Sequence, residues 1–348
     1  IVKWRRDFHK YPELSFEEHL TSKKIGKELK KMGMNPKMKI GKTGVVSDLK
    51  FGEGPIIALR ADMDALPLQE KGNLSFKSKH KGIMHACGHD AHMAMLLGVA
   101  KTLSGYKKDL RGTVRFIFQP AEEGKGGARY MIRDGCLDGV EEIYGLHVWN
   151  YQPAGEVGVK EGPVMAAADM FYIKIKGVGG HGAAPQGTVD AIVVASHLIQ
   201  SFQTVVSRNI NPLDNAVITV GKIKGGDNFN IIADEVYIEG TARSYTEVNR
   251  SLIKSKMNQI IEGVSNTYGA KINFEYVDGY PPTINSSNCA KKVLKAAKKV
   301  VGDKAGLPYL SMGGEDFSYY LQKRPGCFFF IGSAPDPTKP FGTPQHCS

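Results

Sequence analysis

Short apolar runs that end in ionisable residues restrict the fold of this chain more than any other feature. Pro55-Ile56-Ile57-Ala58-Leu59-Arg60 leads into Ala61-Asp62-Met63-Asp64. Val114-Arg115-Phe116-Ile117-Phe118 leads into Gln119-Pro120-Ala121-Glu122-Glu123-Gly124, and Glu142-Ile143-Tyr144-Gly145-Leu146-His147-Val148 carries a histidine near its end. Such runs fit strands buried on both faces. Between the first two, Met95, Leu96, Val99 and Leu103 have helical spacing over 91–103. Alternating strands and helices predict an α/β fold with a mostly parallel sheet. In such sheets function collects beyond the carboxyl ends of the strands. At the other end of the domain, Ser15-Phe16-Glu17-Glu18 reads as a capping box. It predicts a helix from there to about Met32, stopped by Gly33.

The texture changes near residue 168. Phe171, Ile173 and Ile175 alternate with Tyr172, Lys174 and Lys176, the period of a strand with one wet face. A loop (177–188), helix (190–205), strands (216–223 and 235–243), helix (247–268) and strand (271–278) follow. That order predicts a ferredoxin-like α+β sandwich. A helix (287–301) and the buried run Phe328-Phe329-Phe330-Ile331 then return to the first texture. The predicted organisation is a discontinuous domain, 1–167 with 280–348, and an inserted one, 168–279.

Residues 84–92, Met84-His85-Ala86-Cys87-Gly88-His89-Asp90-Ala91-His92, hold three of the ten histidines and one of the five cysteines. Thiolate and imidazole suit a zinc-like ion. Spacing alone leaves Cys87/His89, His85/His89 and His89/His92 as rival pairs. Glu122 and Glu123 are adjacent carboxylates, so that one can bind metal while the other faces a water as general base. His181 lies in a glycine-rich loop. Arg243, in Gly240-Thr241-Ala242-Arg243, suits carboxylate recognition through its planar fork.

The net charge of +11 does not make a nucleic-acid site. The lysine-rich stretches 23–42 and 291–304 read as solvated helix faces and their flanks, without interleaved aromatics. No apolar run reaches the roughly 20 residues of a membrane span. Scattered cysteines, odd in number, and the lack of a signal-peptide pattern predict a reducing, cytoplasmic setting with neither membrane nor nucleic-acid partner. The chain begins without Met, so residues upstream are an open expectation.

Together these motifs resemble the metal-dependent amidohydrolases of the co-catalytic carboxypeptidase and aminoacylase clan. The resemblance is strongest to the branch of N-acyl-amino-acid amidohydrolases, hippurate hydrolases and auxin-conjugate hydrolases. It rests on RRDFHKYPELSFEE (5–18), RADMDALP (60–67), MHACGHDAHM (84–93), FQPAEEG (118–124), GLHVWN (145–150), GGHGAAP (179–185), NIIAD (230–234), GTARS (240–244), GGEDFSYY (313–320) and QHCS (345–348).

The resemblance implies a zinc-exopeptidase-type catalytic domain with an inserted lid and dimerisation domain. It implies two divalent ions per subunit, zinc with manganese, cobalt or nickel tolerated, on Cys87, His89, Glu123, His147 and His346, with Cys87 bridging. Glu122 would be the base, and His181 would stabilise the oxyanion, reaching the active site of the other subunit of a homodimer. Asn230 and Arg243 would position substrate, with Asp64 and Asp90 behind the ligands and His85 and His92 in supporting roles. The implied reaction splits N-acyl amino acids into a carboxylic acid and a free amino acid; the alternative is a carboxypeptidase or dipeptidase. One departure stands out: the wider clan has a metal-binding His where this chain has Asp62, which leaves the role of Asp62 open. Relatives also continue into a closing helix beyond the position of Ser348.

Overall fold

The structure, a computed structural model, describes residues 1–106 and 110–334. His346 lies outside the described residues. Among those residues the chain forms two compact units: 1–164, 284–310 and 316–334 in the first, 165–283 and 311–315 in the second.

The first unit is built on an eight-stranded sheet. β1 (Lys37–Ile40) and β2 (Gly44–Lys50) form an antiparallel edge. β2 pairs antiparallel with β4 (Thr113–Gln119), which runs parallel to β3 (Ile56–Asp62). β3 runs parallel to β5 (Val140–Pro153), and β5 to the strand Gly326–Ala334. The three polar-tipped runs are therefore β3, β4 and β5, side by side in one direction. Their tips meet at one edge because their registers align Asp62 with Gln119 and Arg60 with Gly145.

Helices α2 (His19–Lys31) and α3 (His89–Ser104) pack on this sheet, and α1 (Val2–Lys10) packs against α3. Phe8, Ile25, Leu29, Met93, Leu97, Phe116 and Phe118 form one buried cluster. Full burial of each such side chain contributes about 1.5–3 kcal/mol.

Helix α2 starts later than the capping box predicts. Ser15 and Glu18 make no cap; the carboxylate of Glu13 accepts the N–H groups of Leu20 and Thr21 at 3.1 and 2.8 Å instead. Phe16 takes a left-handed φ of 67°, which breaks any helix at that point.

The second unit is a four-stranded antiparallel sheet of Ala167–Lys176, Ala216–Gly225, Glu235–Ser244 and Lys271–Tyr280. Helices Ala191–Thr204 and Glu247–Tyr268 cover one face. This is the βαββαβ order the sequence predicts, and the α/β fold class with its smaller α+β unit holds. Phe171, Ile173 and Ile175 are buried against Phe202, Leu198 and Met257, while Met170 and Tyr172 face outward. Asp190 and Thr246 cap the two helices by accepting N–H groups of their first turns. Among the described residues no helix is long and apolar enough to cross a membrane.

Candidate metal centre

The tips of β3 and β4, the middle of β5 and the start of α3 converge on one group of donors. Cys87 Sγ lies 3.3 Å from His147 Nε2. One donor atom each of Cys87, His89 and His147 falls within 4.8 Å of the others, and the same holds for His89, Glu122 and Glu123. The two groups share His89.

Local geometry explains how such side chains come together. Gly88 adopts φ 89°, and a Cβ there would stand 2.5 Å from Val148 Cγ2. Only glycine lets the chain turn between Cys87 and His89 while lying this close to β5. His89 is then the first residue of α3, whose N-terminal dipole favours negative charge beside it.

The two imidazoles are oriented alike. His89 Nδ1 lies 2.8 Å from the Asp64 carbonyl oxygen, and His147 Nδ1 lies 2.6 Å from the Val148 carbonyl oxygen. A carbonyl only accepts, so each Nδ1 carries a proton, and each ring in its neutral form presents the Nε2 lone pair. His89 Nε2 is buried without a hydrogen bond; Asp62 Oδ2 stands 3.7 Å away.

Burial pushes the Cys87 thiol well up and the Glu123 carboxyl up to about 7. Burial also lowers His147. On His89 burial works downward, but Asp62 and Cys87 outweigh it and raise the group. A thiol, carboxylates and imidazoles gathered in a largely buried cluster are the donor set of a divalent ion, whose charge favours thiolate, carboxylate and neutral imidazole together. The residues present fit the metal that the sequence implies.

In the second unit, His181 is exposed on a short ribbon, Gly180–His181 paired with Ile231–Ile232. Its Nδ1 accepts the Ala183 N–H at 3.1 Å, which leaves the proton on Nε2 as an outward donor. The neighbouring Asn230 is exposed, and its carbonyl accepts the Gly182 N–H at 2.8 Å. Arg243 is half-buried and makes no ion pair among the described residues; its Nε donates to Thr241 Oγ1 at 3.0 Å. Burial lowers its pKa. A Cβ on Gly314 would lie 3.3 Å from its Nη1.

The model of peptidase family M20/M25/M40 matches residues 58–342, a span that includes every strand tip just described. The chain belongs to peptidase family M20/M25/M40. It is a metal-dependent amidohydrolase of M20 fold with a candidate two-metal site.

Among its M20 relatives, the N-acetyl-L-cysteine deacetylase of Bacillus subtilis is 46% identical over 337 residues, covering 97% of this chain and 81% of the relative. The IAA-amino acid hydrolase ILR1-like 4 of Arabidopsis thaliana is 44% identical over 354 residues, covering 99% and 80%. The crystal structure of the Bacillus subtilis YXEP protein, a dinuclear metal-binding peptidase of the M20 family, superposes with a TM-score of 0.84 at 39% identity, covering 96% and 88%.

Around this M20 site the roles of Arg60, Gln119 and Asp316 escaped the sequence reading, which left that of Asp62 open and gave Asp64, Asp90, His85 and His92 supporting places. Asp62 accepts from His92 Nδ1 at 2.6 Å and from Arg60 Nη1 at 2.7 Å. His92 Nε2 accepts the Val148 N–H at 2.9 Å, so His92 pins the backbone next to His147. Arg60 also reaches Gln119 and Asp316, and Gln119 Nε2 contacts both Asp316 oxygens at 2.8 Å. Burial opposes charge on Asp62, but His89, His92 and Arg60 hold its carboxyl well below the usual range.

Asp64 accepts the N–H groups of Glu122 and Glu123 at 3.0 and 2.9 Å and the Ser15 hydroxyl at 2.7 Å. Asp90 is bonded to His9 and Arg5. His85 is buried, with neither ring nitrogen hydrogen-bonded. The signal for the Arg60 network was a polar residue at each apolar strand's end, but no spacing rule pairs residues 256 positions apart.

Proposed function

We propose that this enzyme hydrolyses the amide bond of N-acyl amino acids, releasing a carboxylic acid and a free amino acid. The observation that carries this reading is the overlap at His89 of the Cys87–His89–His147 and His89–Glu122–Glu123 donor groups, which sets two adjacent carboxylates beside a thiol and imidazoles. Cys87, His89, Glu123, His147 and His346 would hold the metals. When bound, the ions polarise the scissile carbonyl and acidify a water.

Glu122 takes the proton from the attacking water and delivers it to the leaving amine. Its burial, 7% exposed, keeps bulk water from competing for that proton. Arg243 holds the carboxylate of the amino-acid part, for which its unpaired guanidinium is suited. The Nε2–H of His181, supplied from the partner subunit of a homodimer, meets the developing oxyanion. Asn230 steadies the substrate, Asp64 orients His89 and the Glu122–Glu123 turn, and Asp90 fixes the start of α3. The unit around 168–279 acts as lid and dimerisation domain, and the enzyme works in the cytoplasm.

The names of the two relatives, an N-acetyl-L-cysteine deacetylase and an IAA-amino acid hydrolase, support an acyl-amino-acid substrate. The test is metal analysis of the purified protein, then hydrolysis of N-acetyl, N-benzoyl and indole-3-acetyl amino acids beside dipeptides. Turnover of the acyl amino acids with a metal stoichiometry near two supports the reading. Turnover confined to dipeptides replaces it with a peptidase.

A further inference from the structure

Successive backbone N–H groups after β4 are gripped by two buried carboxylates. Ala121 N–H donates to Glu18 Oε1 at 2.9 Å, while the next two N–H groups go to Asp64. Ala121 sits at φ 56°. That left-handed conformation is unfavourable for an L-residue and persists only where neighbours enforce it. Ala121 immediately precedes Glu122, so its φ sets the direction in which that side chain leaves the turn.

Glu18 is suited to be the enforcer. It is fully buried, and its second oxygen accepts the Thr43 hydroxyl at 2.5 Å. Thr43 is held in turn, through its carbonyl, by the Ser22 hydroxyl of α2. No Lys, Arg or His among the described residues forms a salt bridge with Glu18. Burial, with the charge of Asp64 close by, raises its carboxyl to about 7. A buried carboxylate lacking a cation costs stability. What it supplies in return is one acceptor at the strained residue beside Glu122.

We propose that Glu18 is a positioning residue for catalysis: by holding Ala121 N–H it keeps the left-handed turn that aims Glu122 at the reacting water. The inference rests on Glu122 being the base. Misplacing a reacting group by about 1 Å costs on the order of 100-fold in rate.

The test compares Glu18→Ala, Glu18→Gln and Glu122→Gln on the metal-loaded full chain, using the panel substrate with the highest kcat/KM. Glutamine keeps an acceptor for Ala121 N–H and an amide that can donate to Thr43. Expected are a kcat loss of about 100-fold for Glu18→Ala at little-changed KM, recovery of most of kcat in Glu18→Gln, unchanged metal stoichiometry in both, and a lower melting temperature for Glu18→Ala, which leaves the Ala121 N–H and the Thr43 hydroxyl without their acceptor, with both variants folded at the assay temperature. Crystal structures should show Ala121 leaving the left-handed region in Glu18→Ala and keeping it in Glu18→Gln. Full activity of Glu18→Ala, an unshifted Ala121, or a loss that tracks metal content or the fraction unfolded at the assay temperature would overturn the proposal while leaving an inactive Glu122→Gln intact. An active Glu122→Gln would instead remove the base reading itself.

Discussion

The Nδ1 of His89 donates to the Asp64 carbonyl at 2.8 Å, while the Asp64 carboxylate takes the N–H groups of Glu122 and Glu123. One residue therefore sets the tautomer of a proposed ligand and the backbone of the two acids beside it. Asp64→Asn keeps the carbonyl but replaces one acceptor oxygen with an N–H donor facing another N–H. Leaving a buried donor unsatisfied costs about 1–3 kcal/mol. Urea unfolding of the metal-free variant should show a loss of that size, with weaker metal retention on dialysis. A variant as stable and as metal-retentive as the parent would show that the carboxylate is not what organises this turn.

Gly88 offers an independent check on the same centre. Alanine there must accept φ 89° and displace Val148, one residue from His147. The left-handed backbone alone costs about 1–2 kcal/mol, and the clash adds to it. Gly88→Ala should melt lower and bind metal less tightly, because the turn separates Cys87 from His89. Isothermal titration with zinc and manganese would measure the second effect; parental affinity would mean that the turn relaxes without moving the donors.

These two sites show what was legible in the sequence and what was not. The strands were legible because continuous apolar runs have few alternatives, and the helices 247–268 and 287–301 match their predicted spans. Glu122, Glu123 and His147 were legible as candidates because ionisable residues late in apolar runs are unusual, and Cys87 and His89 because thiol and imidazoles crowd residues 84–92. The segment 13–18 was misread for a physical reason. Serine and glutamate three apart satisfy the local capping rule, yet both side chains find partners more than 20 residues away, Asp64 for Ser15 and Thr43 and Ala121 for Glu18. Local pattern cannot reveal that a nearby glutamate, Glu13, already caps the helix. The Asp62–Arg60–Asp316 network was hidden likewise, since its members meet only when the sheet closes.

His9 provides a pH-dependent element away from the donors. Its Nδ1 lies 2.9 Å from Asp90 and its Nε2 3.3 Å from Glu70, with all three side chains buried. Burial disfavours its charge, but the hydrogen bonds and attraction of the two carboxylates outweigh that and raise its pKa above 6.5. A raised histidine pKa means that the folded state holds the proton more tightly than the unfolded chain. Its contribution is complete below about pH 6.5 and declines as pH rises through the folded value. His9→Gln should destabilise by about 3 kcal/mol at pH 5, and the gap to the parent should narrow by pH 9. Urea midpoints at the two pH values decide it; a gap that does not change with pH would mean that His9 is neutral in the folded protein.

Arg243 and Thr241 form the last testable pair. The Arg243 Nε–H donates to Thr241 Oγ1 at 3.0 Å, and the Thr241 hydroxyl donates onward to the Asp169 carbonyl at 2.6 Å. The chain leaves the two terminal nitrogens of the guanidinium for a ligand and fixes the plane in which they lie. Asp169 is itself held by Arg250, Tyr276 and the Gly279 N–H, so the anchor is rigid. Charge-assisted hydrogen bonds contribute about 1.5–3 kcal/mol, so Arg243→Ala should raise KM for an N-acyl amino acid by about 10- to 100-fold. The matching amide, which lacks the carboxylate, should be almost unaffected. Thr241→Val removes the orienting bond without changing size much, so it should produce the same selectivity at smaller amplitude. Steady-state kinetics on the acid and amide substrates test both. Equal losses on the two substrates would assign Arg243 to the integrity of the strand rather than to carboxylate binding.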